Sequence, residues 1–176
     1  GAMVIVELID AHDGFDIVTE RIRTTKKRSL LWILMPITFF LSAVLDNLTT
    51  TIVMVSLLRK IIADRDDSIL FAGMVIIAAN AGGAWSPMGD VTTTMLWTGG
   101  QISALNIIKM LFLPSVVCLM LPALVMHMRL KGNVETPVAE PEANKIPSTP
   151  TERKWVFFTG LAVLLFVPVF KTVTHL

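Results

Sequence analysis

The sequence predicts an all-α integral membrane fold, a re-entrant helical hairpin followed by broken transmembrane helices. Three observations predict it. Of the 176 residues, 53% are hydrophobic and 16% charged, and the mean hydropathy is +0.68; soluble domains carry about 25% charged residues. The charges are clustered, which leaves charge-free stretches over residues 30–45, 47–58, 68–89, 91–108, 110–126 and 155–170. The basic clusters flank these stretches in an order that gives each a direction, because Lys and Arg concentrate on the cytoplasmic side of a membrane.

Taken in order, Met3, Val4, Ile5 and Val6 read as a hydrophobic helix already under way, so residues 1–13 are expected to be the end of a membrane helix. The last apolar run stops abruptly, and the chain reads as an excerpt of a longer protein without a secretory signal pattern. Residues 14–29 place Phe15, Ile17, Val18 and Ile22 among charges, as an amphipathic helix at the cytoplasmic surface would. One straight helix over residues 30–58 would extend about 43 Å, too long for an untilted span of a core about 30 Å thick. Its flanks, "RIRTTKKR" and "RKIIADR", are both basic. Both ends therefore face the cytoplasm, and residues 30–62 are predicted to enter, turn at a tip over 46–51, and return.

Residues 68–100 end in the neutral "TGGQIS", which suits a crossing to the outer face, with Gly82, Gly83, Pro87 and Gly89 breaking the helix at mid-depth. Residues 103–130 return and end at the basic "RLKG"; Lys109, near the outer interface, can snorkel. Residues 131–154 carry four prolines and read as a cytoplasmic linker. Residues 155–172 begin a further outward span.

Several classes are disfavoured. The net charge is +1 and no basic stripe is present, so nucleic acid is not an expected partner. The single cysteine, Cys118, rules out an internal disulfide and a cysteine metal cluster. No catalytic residues and no cofactor are read from the sequence, and the chain is not expected to be an enzyme.

The chemistry concentrates in two polar interruptions. Asp46 lies inside an otherwise uncharged apolar stretch, followed by Asn47, Thr49, Thr50 and Thr51. Intramembrane ionisable residues are costly and mark ion pathways. Asp46 also suits a helix cap, but Ser or Asn would cap without bringing charge. A carboxylate, an amide oxygen, hydroxyls and carbonyls freed at a helix break can hold a small hard cation. The expected ion is sodium at Asp46 and Asn47. A carboxylate that binds sodium can instead take a proton, and a site that holds one or the other is sufficient for exchange. The second interruption, residues 80–94, supplies Asn80, Ser86, Asp90 and three threonines beside Gly82 and Gly83; Asp90 could equally be the cap of the next helix. Glu7 and Asp10, at i and i+3, could line a proton path or form an interfacial rim. His12 and His127 are expected to be solvated near the cytoplasmic face.

"ELIDAHDGFDIVTERI", "LSAVLDNLTTTIVM", "NAGGAWSPMGDVTTTMLW" and "FFTGLAVLLFVPVFKTVTHL" resemble the NhaD-type sodium/proton antiporters of the ion transporter superfamily. The resemblance covers nearly the whole chain except the linker. It implies an inverted-repeat transporter fold, with a hairpin and a broken helix in each repeat and residues 155–172 as the first helix of the second. It also implies a homodimer, an elevator-like movement, and a cation site between the tip at Asp46 and Asn47 and the Gly82–Gly83 region. The bilayer of a bacterial inner membrane is the expected setting, with sodium and protons as the transported ions. The chain departs from dicarboxylate members of that superfamily, whose tip reads Ser-Asn-Thr; here it reads Asp46-Asn47-Leu48, and its charge would repel an anion. A dicarboxylate or arsenite transporter is the alternative within the fold, and a non-transporting receptor or assembly subunit is the alternative outside it.

Overall fold

A computed structural model describes residue 12, residues 26–134, and, further along, residues 151, 152, 154–156, 158–160, 162, 163 and 166. Glu7, Asp10, most of the amphipathic segment and most of the linker lie outside the described residues. Five helices follow one another: α1 Lys27–Val44, α2 Asn47–Ile61, α3 Arg65–Ala84, α4 Val91–Thr98 and α5 Ala104–Arg129. The described residues between 151 and 166 are helical as well, so helix is already present at Thr151, inside the stretch read as linker. No strand occurs among the described residues, and α1, α3 and α5 are long and apolar enough to cross a membrane. The protein is an all-α integral membrane protein.

Contacts at the helix ends fix the directions. Lys27 at the start of α1 pairs with Asp67 in the first turn of α3. Near the other end, the Ser42 hydroxyl donates to the Ala79 carbonyl at 2.6 Å. Therefore α1 and α3 run parallel. Residues 62–64 join α2 to α3 in a tight reversal, so α2 is antiparallel to both. The last turns of α5 return to the start of α1: Arg28 Nε donates to the Leu130 carbonyl at 2.9 Å, and Trp32 Nε1 donates to His127 Nδ1 at 3.1 Å. Lys26 and Asn133 add an isolated antiparallel bridge. His127 is thus half-buried against Trp32, where the sequence suggested a solvated side chain. One end of the bundle gathers Lys26, Lys27, Arg28, Arg59, Lys60, Arg65, Arg129 and Lys131.

The core lies where α1 meets α2, α3 and α5. Leu30, Leu31, Leu34, Met35 and Phe39 repeat at helical spacing on the buried face of α1. They pack with Met54, Leu57, Leu58 and Ile61 of α2, Phe71, Met74, Val75 and Ala78 of α3, and Leu119 and Ala123 of α5. The outer face of α5 stays apolar, with Leu105, Met110, Leu113, Leu121 and Met128 exposed. A helix apolar all round suits lipid as solvent.

The breaks differ in detail from the sequence reading. The turn between α1 and α2 is only Leu45 and Asp46; Asn47 to Thr51 are already helical. Gly82 and Gly83 do not break α3, which continues to Ala84, and the interruption lies at residues 85–90. Their role is close approach. A Cβ on Gly82 would lie 2.1 Å from the Phe39 carbonyl oxygen, and one on Gly83 would lie 2.5 Å from that of Gly89. Glycine lets backbone meet backbone here, and helix hydrogen bonding continues through both residues.

Trp85, first residue of the interruption, is held by aromatic packing. It stacks on Phe39 at 5.9 Å and meets Phe112 edge-on at 5.1 Å. Its indole nitrogen is buried without a hydrogen-bond partner among the described residues. Trp85→Phe is therefore expected to leave thermal stability in detergent unchanged or raised, because the ring contacts remain and an unsatisfied donor is removed. Trp85→Ala is expected to destabilise by about 3–5 kcal/mol. Equal melting of the two variants would show that the ring packing does not hold the break in place.

Candidate functional site

The first half of the candidate site is the start of α2. Asp46 is its cap: one carboxylate oxygen accepts from the Thr49 backbone N–H at 2.7 Å, the other from the Thr49 hydroxyl at 2.6 Å. Both oxygens keep a further lone pair, since an ionised carboxylate offers about four acceptor positions. Asp46 is half-buried, while Thr49 is buried. Thr51 bonds back to the Asn47 carbonyl at 2.7 Å. The Thr50 hydroxyl is fully buried and has no hydrogen-bond partner among the described residues.

The second half is the interruption between α3 and α4. Asp90 caps α4 through the Thr92 N–H at 3.1 Å and the Thr92 hydroxyl at 3.0 Å. Thr94 closes the turn onto the Pro87 carbonyl at 3.0 Å and the Asp90 carbonyl at 2.8 Å. Each of the two aspartates therefore does the capping work that the sequence allowed.

The halves are joined directly. The Asn47 backbone N–H donates to the Gly89 carbonyl at 3.2 Å. Asn47 Nδ2 donates to Asn80 Oδ1 at 3.1 Å, and Asn80 Nδ2 donates to the Ile76 carbonyl at 2.8 Å. The Ser86 hydroxyl reaches the Ala43 carbonyl at 2.5 Å, and a Cβ on Gly89 would lie 2.6 Å from the Ser42 carbonyl oxygen. Four helix ends meet here: the C-termini of α1 and α3 and the N-termini of α2 and α4.

Of the residues named from the sequence, Asp46 and Thr49 are in contact, as are Asn47 and Asn80. Gly82 and Gly83 sit against the backbones of α1 and the interruption. Asp90 is tied to Thr92, with its neighbour Gly89 making the link to Asn47. Thr50 lies in the packed interior, and Glu7 and Asp10 fall outside the described residues. Among the described residues no three or more His, Cys, Asp or Glu side chains cluster as a metal centre would require. Sequence reasoning missed Ser42, which locks α1 to α3. Its signal was a hydroxyl within an apolar run, one helical turn before Asp46. A cleft of about 500 Å³ opens between α3 and α5, lined chiefly by apolar residues, with Asn80, Ser115 and Cys118 among its walls.

The family whose description is citrate transporter matches residues 1–176, the full length of the chain. The chain belongs to the citrate transporter family. Relatives within reach of this citrate transporter family member carry other names. It is 52% identical over 178 residues to sodium/proton antiporter 1 of Arabidopsis thaliana, covering 100% of this chain and 30% of that protein. It is 51% identical over 179 residues to sodium/proton antiporter 2 of the same plant, covering 100% of this chain and 42% of that protein. The Na(+)/H(+) antiporter NhaD of Vibrio cholerae serotype O1 is 39% identical over 113 residues, 64% of this chain and 24% of that protein. The chain thus spans less than half the length of these relatives. No solved structure matches it.

Chemically, the junction in this citrate transporter family member offers oxygen of several kinds. Carboxylate, amide, hydroxyl and carbonyl oxygens suit hard cations, and half-helix ends with unwound carbonyls form the ion sites of secondary transporters.

Proposed function

We propose that this chain forms half of the transport domain of a sodium/proton antiporter, which extrudes sodium in exchange for protons at a shared carboxylate. The observation that carries the reading is the joining of the tip to the interruption through Asn47, which meets both Gly89 and Asn80 beside Asp46. Sodium would bind at Asp46 and Asn47, with Thr49, Thr50, Asn80, Gly82, Gly83 and Asp90 shaping the site. A proton would compete at the carboxylate, and Glu7 and Asp10 would lie on the proton path. The names of the relatives support antiport over enzymatic chemistry.

In this reading α1 and α2 are a re-entrant hairpin. They run antiparallel with basic residues at both outer ends, and although α1 is long enough to cross, α2 extends only about 22 Å, short of a core about 30 Å thick. The basic end of the bundle would face the cytoplasm. A homodimer built through other parts of the full-length protein completes the proposal. A bacterial inner membrane is supported by the bacterial NhaD relatives and opposed by the plant ones; fractionation of the source organism decides between them.

The family description favours a second reading, sodium-coupled transport of a carboxylate. Everted vesicles carrying the full-length gene product separate the two. Dissipation of an imposed pH gradient on adding sodium, without any carboxylate present, is the expected result. Sodium-dependent uptake of labelled succinate or citrate would replace antiport by symport. Sodium binding with neither flux would leave a receptor.

A further inference from the structure

The amide chain at the junction has a polarity that the backbone dictates. The Ile76 carbonyl can only accept, so the Asn80 atom 2.8 Å from it must be the amide nitrogen. Asn80 Oδ1 then faces Asn47, which must answer with its own nitrogen at 3.1 Å. The remaining Asn47 atom is its carbonyl oxygen, which accepts no hydrogen bond among the described residues. A free asparagine can present either oxygen or nitrogen to an ion; this one has its choice made by a carbonyl in the neighbouring helix.

We infer that Asn80 is a positioning residue for Asn47: anchored by the Ile76 carbonyl, it holds the Asn47 amide so that oxygen, never nitrogen, is offered to a bound cation. This rests on the reading above that Asn47 ligates sodium, and it takes Asn80 out of the ligand set. The Asn80 oxygen is engaged by Asn47 and its nitrogen by Ile76, so Asn80 acts through its neighbour. The pair also spans the hairpin and the broken helix, so the orientation of the ligand depends on the two elements staying in register.

The test uses the full-length protein in proteoliposomes, reading the half-saturating sodium concentration and the maximal rate separately. Asn80→Leu removes the acceptor and is expected to raise half-saturating sodium about five- to tenfold, the range for one lost orienting hydrogen bond. The maximal rate should stay within about twofold, whereas a merely structural defect would lower the amount of active protein and leave half-saturation in place. Asn80→Gln keeps both an acceptor for Asn47 and a donor for the Ile76 carbonyl, without adding charge, and should stay within about threefold of the unmodified protein. Once Asn47→Ala has removed the group being oriented, adding Asn80→Leu should change half-saturation no further. A further loss in that background, of the same size as in the unmodified protein, would make Asn80 an independent ligand and overturn the inference. Should Asn47→Ala abolish the response altogether, equal losses from Asn80→Gln and Asn80→Leu overturn it, and rescue by Asn80→Gln sustains it. Unchanged half-saturation in Asn47→Ala alone would instead overturn the sodium reading itself.

Discussion

Asp46→Asn is expected to abolish sodium-dependent dissipation of a pH gradient in everted vesicles while leaving the protein folded. Two jobs meet at Asp46, and this substitution separates them. Asparagine caps a helix about as well as aspartate. Its one oxygen can still accept from the Thr49 N–H, and the Thr49 hydroxyl can accept from the new amide nitrogen where it now donates. Melting temperature and accumulation should therefore match the unmodified protein. The charge, however, is gone, and with it the group at which sodium and a proton would compete. Losing a charged ligand costs about 1.5–3 kcal/mol, about 10- to 100-fold in sodium affinity, and proton coupling should disappear entirely. Retained antiport in Asp46→Asn would reduce Asp46 to a cap. In that case Asp46→Ala alone should be harmful, through a loss of about 0.5–2 kcal/mol in stability.

The second large effect is structural. Gly82→Ala is expected to prevent accumulation of folded protein. The added Cβ would lie 2.1 Å from the Phe39 carbonyl oxygen and 2.8 Å from that residue's Cα. Both neighbours are backbone, so no rotamer change relieves the clash, and α3 must withdraw from α1. Overpacking where side chains can adjust already costs about 1–3 kcal/mol, and here the adjustment would also stretch the Ser42 bond to the Ala79 carbonyl. The matched control is Gly73→Ala in the same helix, whose Cβ would meet nothing within 4 Å. That variant should be neutral or more stable by up to about 1 kcal/mol, the usual gain of alanine over glycine in a helix. Equal accumulation and equal melting of the two variants would disprove the close approach of α1 and α3.

Much of this was legible in the sequence because it follows from charge and hydropathy, which are local. The charge-free stretches mark the helical regions, and Asp46 and Asp90 each cap a helix as their residue type allowed, while Asp64 and Ser103 cap helices at positions the sequence reading had not singled out. What was not legible depends on the partner surface. Gly82 and Gly83 look like helix breakers until Phe39 is found against the first and Gly89 against the second, because the same missing Cβ serves a turn and a close contact equally. Ser42 gives no local sign that its hydroxyl reaches a carbonyl 37 residues away. His127 and Trp32 are 95 residues apart, and no periodicity joins them. At the site, residue types could be read but amide orientation could not, since it is set by the Ile76 carbonyl on another element.

The meeting of two helix C-termini with two helix N-termini has an electrostatic consequence. A helix end carries a partial charge of about half a unit, positive at the N-terminus and negative at the C-terminus. Each interruption exposes one end of each sign, so the backbone contributions largely cancel and the scaffold itself favours neither cations nor anions. The sign of the field at the junction is then left to Asp46 and Asp90. A junction of this kind is electrically blank until its caps are chosen. The same backbone could serve cargo of either charge, with selection free to reverse the preference by exchanging two side chains at positions where a neutral cap would fit equally well.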